Sequence, residues 1–174
     1  MLIFFSLFMA AALVVIDQLT KALVVLQVKP VGSIPVIEGW LNWTYRENTG
    51  AAFSMFSDNR GVFLVSTVML MGLCLYLMFA HYSRNTWVCF TFSLILGGGL
   101  GNMIDRVAAG YVVDFIHVSF FPAIFNFADC CVTVGACILF VLILVGMGKD
   151  PKSKKGKKTT GGEEEHGGTA QNAD

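Results

Sequence analysis

Charge is scarce in this chain. Asp, Glu, Lys and Arg make up only 14% of its 174 residues, where a soluble domain carries about 25%. Hydrophobic residues make up 55%, which reads as an integral membrane protein. Proline is almost missing. The four present (Pro30, Pro35, Pro122, Pro151) all fall outside the long apolar runs, where helix breakers belong. Histidine is as rare, with three in the chain. His81 lies in the short inner loop and His166 in the tail, neither well placed as a base. His117 lies near Asp114 without a serine that looks like a nucleophile, so serine hydrolysis is disfavoured. The five cysteines (Cys74, Cys89, Cys130, Cys131, Cys137) sit in apolar stretches with no metal-ligand spacing to histidine and read as small buried hydrophobes. A broad basic surface of the kind nucleic acid needs is also missing.

The formal net charge of zero hides an arrangement. Up to residue 148 the basic residues are Lys21, Lys29, Arg46, Arg60, Arg84 and Arg106. The acidic ones there are Asp17, Glu38, Glu47, Asp58, Asp105, Asp114 and Asp129. The segment 149–174 opens with a dense lysine block and continues into Gly- and Glu-rich sequence. Such a tail cannot bury a core and is expected to stay disordered.

Four apolar runs are long enough to span a bilayer, which takes about 20 residues of helix. They run from Leu2 to Leu26, Val62 to Ala80, Trp87 to Ile104 and Phe125 to Met147. The first lacks a basic leader and a polar start after Ala10-Ala11-Ala12, so an uncut span is expected rather than a signal peptide. The expected fold is an all-α membrane protein of four transmembrane helices, residues 1–148, with a charged tail at 149–174. The lysine block and Arg84 place both termini in the cytoplasm by the positive-inside rule, against a weaker contrary signal from Lys29, Arg46 and Arg60. In the connector 27–61, Leu41, Trp43 and Tyr45 alternate with Asn42, Thr44 and Arg46. That period of two predicts a strand, and with Trp40 it predicts a small sheet on the outer membrane surface between the first two helices.

Polar residues in or beside the spans collect toward one side of the membrane. They are Asp17 to Lys21, Asn48 to Phe53, Gly101 to Arg106, Asp114, and Asn126 with Asp129. Several admit plain structural roles. Asp17 and Lys21 are four apart and could neutralise each other. Asn126 could cap the fourth helix. The glycines 97–99 and 101 could let helices approach. Asp114 and Asp129 have no cation within four residues, and ionisable groups at membrane depth usually mark function. The 14 residues between them can loop back and bring the carboxyls together. Two carboxylates about 4 Å apart repel by roughly 4 kcal/mol at an effective dielectric of 20, so near pH 7 the pair holds one proton. The ionised member can take a proton from water and the neutral one can donate to a carbonyl, which is what peptide hydrolysis needs. A small transporter or proton-relay subunit is the alternative, and a non-catalytic assembly or anchoring protein a third.

Five blocks in order resemble the bacterial lipoprotein signal peptidase (signal peptidase II) family. They are Asp17-Gln18-Leu19-Thr20-Lys21, Asn48-Thr49-Gly50-Ala51-Ala52-Phe53, Gly101-Asn102-Met103-Ile104-Asp105-Arg106, Val113-Asp114-Phe115 and Phe125-Asn126-Phe127-Ala128-Asp129. The resemblance implies a bacterial inner-membrane aspartyl endopeptidase with its site on the periplasmic side and no metal or cofactor. Its partners would be lipid-modified prolipoproteins, cut just before the lipidated cysteine, the phospholipid bilayer, and a globomycin-type cyclic peptide as inhibitor. It implies catalytic roles for Asp114 and Asp129, and substrate-holding roles for Asp17, Lys21, Asn48, Gly50, Asn102, Arg106 and Asn126. The signal helix is expected to enter against the first and fourth spans. The chain departs from the family in a short stretch between the two aspartates, in an amino terminus without leading basic residues, and in Cys130 and Cys131 where smaller residues are commoner.

Overall fold

The computed structural model describes residues 1–50, 60–80 and 85–147, without the side chains of residues 60, 62 and 63. The expectations for Ala51 to Phe53, for His81 and Arg84, and for the charged tail lie outside the described residues. The elements are α1 (Leu2–Gln27), β1 (Ser33–Ile37), β2 (Leu41–Asn48), α2 (Arg60–Ala80), α3 (Thr86–Ala108), β3 (Val112–Val118), β4 (Ile124–Phe125) and α4 (Phe127–Met147).

The helices follow the apolar runs, and their ends have local causes. Asn85 opens α3 by accepting from the Val88 N–H at 3.2 Å, as an N-cap does. Gly110 closes it, with a φ of 82° and its N–H on the Asp105 carbonyl at 3.2 Å, a left-handed cap that only glycine adopts without strain. Among the described residues, three helices are long and apolar enough to cross a membrane: Leu2–Gln27, Thr86–Ala108 and Phe127–Gly146. Within α2, Leu64–Ala80 is a shorter apolar helix.

Helix α3 is the axis of the bundle. In its most apolar stretch 61% of residues are buried, against 17% in those of α1 and α4. Phe92, Ile95 and Leu96 of α3 pack with Ala10 of α1 and with Cys74 and Met78 of α2. The outer helices turn Phe4, Phe8, Leu19, Phe140 and Leu144 outward, the arrangement lipid requires because the membrane itself supplies the apolar solvent. Close packing on α3 depends on missing side chains. A Cβ at Gly98 would collide with the Ala128 carbonyl of α4, and one at Gly101 would lie 2.5 Å from Asp17 Oδ2 of α1.

The sheet differs from the expected one. It has four antiparallel strands in the order β1-β2-β3-β4, so half of it comes from the connector between α3 and α4. Strand β3 shows no alternation in sequence, with Asp114 and His117 three apart among apolar residues, and its first four residues are all buried, which hides the period that betrayed β2. Pro35 lies in β1, an edge strand, where a missing N–H is tolerated. The sheet rests on the end of α1 through Val24, Val28, Val113 and Phe115. An exposed ion pair, Lys29 to Glu47 at 3.2 Å, also joins the two.

Candidate active site

The pairing of β2 with β3 sets Arg46 opposite Asp114 and Asn48 opposite Val112. Asp114 therefore lies on a strand outside the helices, 1% exposed. Its carboxylate accepts from Asn126 Nδ2 at 2.6 Å and from Asn48 Nδ2 at 2.8 Å. Asp129 stands in the first turn of α4. It accepts from Asn102 Nδ2 at 2.7 Å and from the Asn126 N–H at 3.2 Å. Asn126 thus touches both acids, and its Oδ1 accepts from the Asp129 N–H at 2.9 Å.

Each of the three asparagines is held by its own carbonyl, which decides where its NH₂ points. Asn126 Oδ1 is taken by the Asp129 N–H. Asn48 Oδ1 is taken by the Gly50 N–H at 2.8 Å, a local turn made where Gly50 has a φ of 89°. Asn102 Oδ1 is taken by the Lys21 ammonium at 3.0 Å. All three present N–H donors to the carboxylates. Neutral amides hold the two acids without cancelling their charge, so the repulsion between them survives. Burial pushes the Asp114 carboxyl up to about 6, the Asp129 charge adds to the rise, and the Asn126 and Asn48 N–H groups restrain it.

Behind this layer lies a buried cation. Lys21 Nζ reaches Asp17 Oδ2 at 2.7 Å and Asp105 Oδ2 at 2.9 Å. Gln18 Nε2 ties the same two acids together, at 3.2 Å to Asp17 and 2.9 Å to Asp105. Asp17 Oδ1 accepts from the Ala128 N–H of α4 at 3.0 Å. Asp105 Oδ2 accepts from the Val113 N–H at 3.4 Å, one residue before Asp114. Asp17 and Lys21 are 1% and 3% exposed, and they bond to one another, to Asn102 and to the Ala128 N–H, next to the residues that carry the acids. Sequence reasoning gave Gln18 and the Ala128 N–H no role and read Asp105 only as a residue at the end of the third helix. The signal for Asp105 was its three-residue spacing from Asn102, which puts both on one helix face.

In front of Asp129 opens a cavity of about 470 Å³. Its polar wall is Asn48, Asn102, Arg106 and Asp129, and its apolar wall includes Met71 of α2 and Val132 of α4. Its helical walls are α2, α3 and α4. The expected entry path for the signal helix, against the first and fourth spans, shares α4 with this cavity, whose other helical walls are α2 and α3. His117 lies one strand face away, with Nδ1 3.4 Å from Thr44 Oγ1.

The cavity carries the Asp129 carboxylate among apolar helices long enough to cross a membrane, a setting suited to an aspartic hydrolase of the membrane. A model of the signal peptidase (SPase) II family matches residues 9–145. The lipoprotein signal peptidase of Caldanaerobacter subterraneus subsp. tengcongensis is 46% identical over 134 residues, 77% of this chain and 92% of that protein. That of Chlorobium phaeobacteroides (strain BS1) is 41% identical over 145 residues, 76% and 91% of the two chains. A solved bacterial membrane enzyme superposes with a TM-score of 0.75 at 32% identity, covering 88% of this chain and 93% of its own. The chain belongs to the signal peptidase II family, which are aspartic peptidases. This sets aside the transporter and anchoring alternatives.

Proposed function

We propose that Asp114 and Asp129 are the catalytic pair that cleaves the signal peptide from lipid-modified prolipoproteins, just before the lipidated cysteine. The observation that carries this reading is Asn126, whose Nδ2 donates to the Asp114 carboxylate while its backbone N–H donates to that of Asp129. The ionised acid takes a proton from a water whose oxygen attacks the scissile carbonyl. The neutral acid gives its proton to the carbonyl oxygen. When the tetrahedral centre collapses, the leaving nitrogen takes up the proton drawn from water, the second acid takes back a proton from a hydroxyl of the centre, and the pair returns to its singly protonated state.

The substrate's extended backbone lies in the 470 Å³ cavity, with its signal helix between α2 and α4 and its diacylglyceryl chains in lipid. Asn48 and Arg106 grip backbone carbonyls. Asn102 and Asn126 hold the acids, Gly50 orients Asn48, and Asp17 and Lys21 brace the assembly. The chain spans the inner membrane four times, α2 being the remaining span. Residues 1–148 form the peptidase, both termini are cytoplasmic, and the site faces the periplasm. The lysine block that follows α4 supports this orientation. A globomycin-type cyclic peptide competes for the same cavity.

The test is cleavage of a lipidated prolipoprotein by purified enzyme. Asp114→Asn and Asp129→Asn each lower the rate by a factor of about 10² to 10⁴ or more, while both variants insert and keep wild-type helix content. Near-normal cleavage by either overturns the pair. Inhibition by globomycin that is lost on substituting Arg106 locates the inhibitor.

A further inference from the structure

A second cavity lies behind the sheet. It measures about 190 Å³ and is walled by Thr20, Leu23 and Gln27 of α1, by Trp43 of β2 and by Phe115 of β3. Phe115 follows Asp114 directly, and successive strand residues point to opposite faces. The cavity therefore backs the strand that presents Asp114, on the face turned away from the acids.

Its shape and polarity are particular. Thr20, Leu23 and Gln27 fall on one stripe of α1, so the groove runs about 10 Å along the helix axis. Thr20 spends its hydroxyl within the helix, on the Asp17 carbonyl at 2.8 Å. Val28 and Phe115 are 1% and 7% exposed, which makes a dry apolar floor. Leu23 and Trp43 are 53% and 43% exposed, so the groove is open along one side. Its amide, Gln27, is the last residue of α1, at the end nearest the lipid headgroups. The open side continues into the surface of α1 formed by Leu19 and Leu26, 60% and 72% exposed, on a helix long and apolar enough to cross the membrane. Water gains little in an apolar slot of this kind, and the volume is too small for a helix.

We propose that this groove binds one acyl chain of a bilayer phospholipid, with the ester region at Gln27 and the tail against Leu23 and Phe115. The bound chain packs the rear of β3 and holds the strand that carries Asp114 from behind. The site is separate from the substrate cavity and does not depend on which residues cleave the peptide.

Trp43 is a built-in reporter. In the full chain carrying Trp40→Phe and Trp87→Phe, Trp43 is the remaining tryptophan. Purified in detergent and titrated with phosphatidylethanolamine brominated along its acyl chains, its fluorescence falls saturably by half or more. Leu23→Phe and Gln27→Phe, which fill the groove, weaken that binding at least fivefold without changing helix content. Quenching that rises linearly with lipid and is equal in the filled variants overturns the site, since it reports general lipid contact. Quenching that a brominated diacyl lipopeptide substrate produces more tightly than phospholipid also overturns it, by assigning the groove to the substrate's own chains.

Discussion

Asn126 and Asp129 cap one another. Asn126 Oδ1 accepts from the Asp129 N–H at 2.9 Å, and Asp129 Oδ2 accepts from the Asn126 N–H at 3.2 Å. This reciprocal pair follows the logic of a capping box, with Asn and Asp in place of Ser and Glu. It lets one turn of helix do two jobs. It starts α4, and it aims the Asn126 NH₂ at Asp114.

The two jobs separate by substitution. Asn126→Ser keeps an oxygen that can cap α4 but loses the NH₂. Asn126→Ala loses both. Thermal melts in detergent show Asn126→Ala destabilised by about 1 kcal/mol, with Asn126→Ser close to wild type. Cleavage assays show both variants slowed at least tenfold. Full activity in the serine variant contradicts the role of the amide.

Asn48 donates to the charged form of Asp114, so its removal disfavours that form. In Asn48→Ala the limb of the pH–rate profile that reports Asp114, near pH 6 in the wild type, moves to higher pH by about one unit, since a hydrogen bond to a charged group contributes about 1.5–3 kcal/mol. A limb that stays in place or moves down refutes the assignment.

The raised Asp114 also enters stability. Between its ordinary value of 3.8 and about 6, the folded chain holds a proton there that the unfolded chain has released. The contribution of this group to stability is therefore fully present below pH 3.8 and is lost as pH rises through about 6, by up to roughly 3 kcal/mol. Melting temperature measured across this range falls more steeply in the wild type than in Asp114→Asn.

Lys21 pairs with two acids at once, the buried Asp17 and the half-buried Asp105. Lys21→Met leaves Asp17 and Asp105 facing each other without a cation, and breaking such a pair costs about 3–5 kcal/mol. Adding Asp17→Asn recovers part of the loss, measured as a melting-temperature gain over the single variant. An unchanged melting temperature in Lys21→Met contradicts a structural role for the cation.

Gly101→Ala places a methyl 2.5 Å from Asp17 Oδ2. The helices α1 and α3 must part, at about 1–3 kcal/mol, and the Lys21 contacts loosen with them. Reduced thermal stability and reduced cleavage appear together in this variant. Wild-type behaviour in both shows that the contact gives way without consequence.

Much of this was legible beforehand because lipid imposes simple rules. Helix ends followed from apolar run length and proline position, and Trp43 with its neighbours announced β2. The motif blocks contained every residue of the acid network. Strand β3 stayed hidden because Val112, Val113 and Phe115 are buried on both faces, which gives no period. The part of α2 in the cavity wall stayed hidden because nothing in the periodicity of α2 distinguishes its cavity-facing Met71 from its outward-facing Leu73. The three acceptors of Lys21 come from two different helices, and spacing along the chain reveals one of them, Asp17.

The sheet draws β2 from one end of the chain and β3 from the other, and Asp129 stands later still. During synthesis, neither acid has its partners until the last connector has crossed and the final helix has begun to enter the bilayer. With Asp114 and Asp129 as the proposed pair, a polypeptide cut short before α4 is unable to cleave anything, its neighbours or itself.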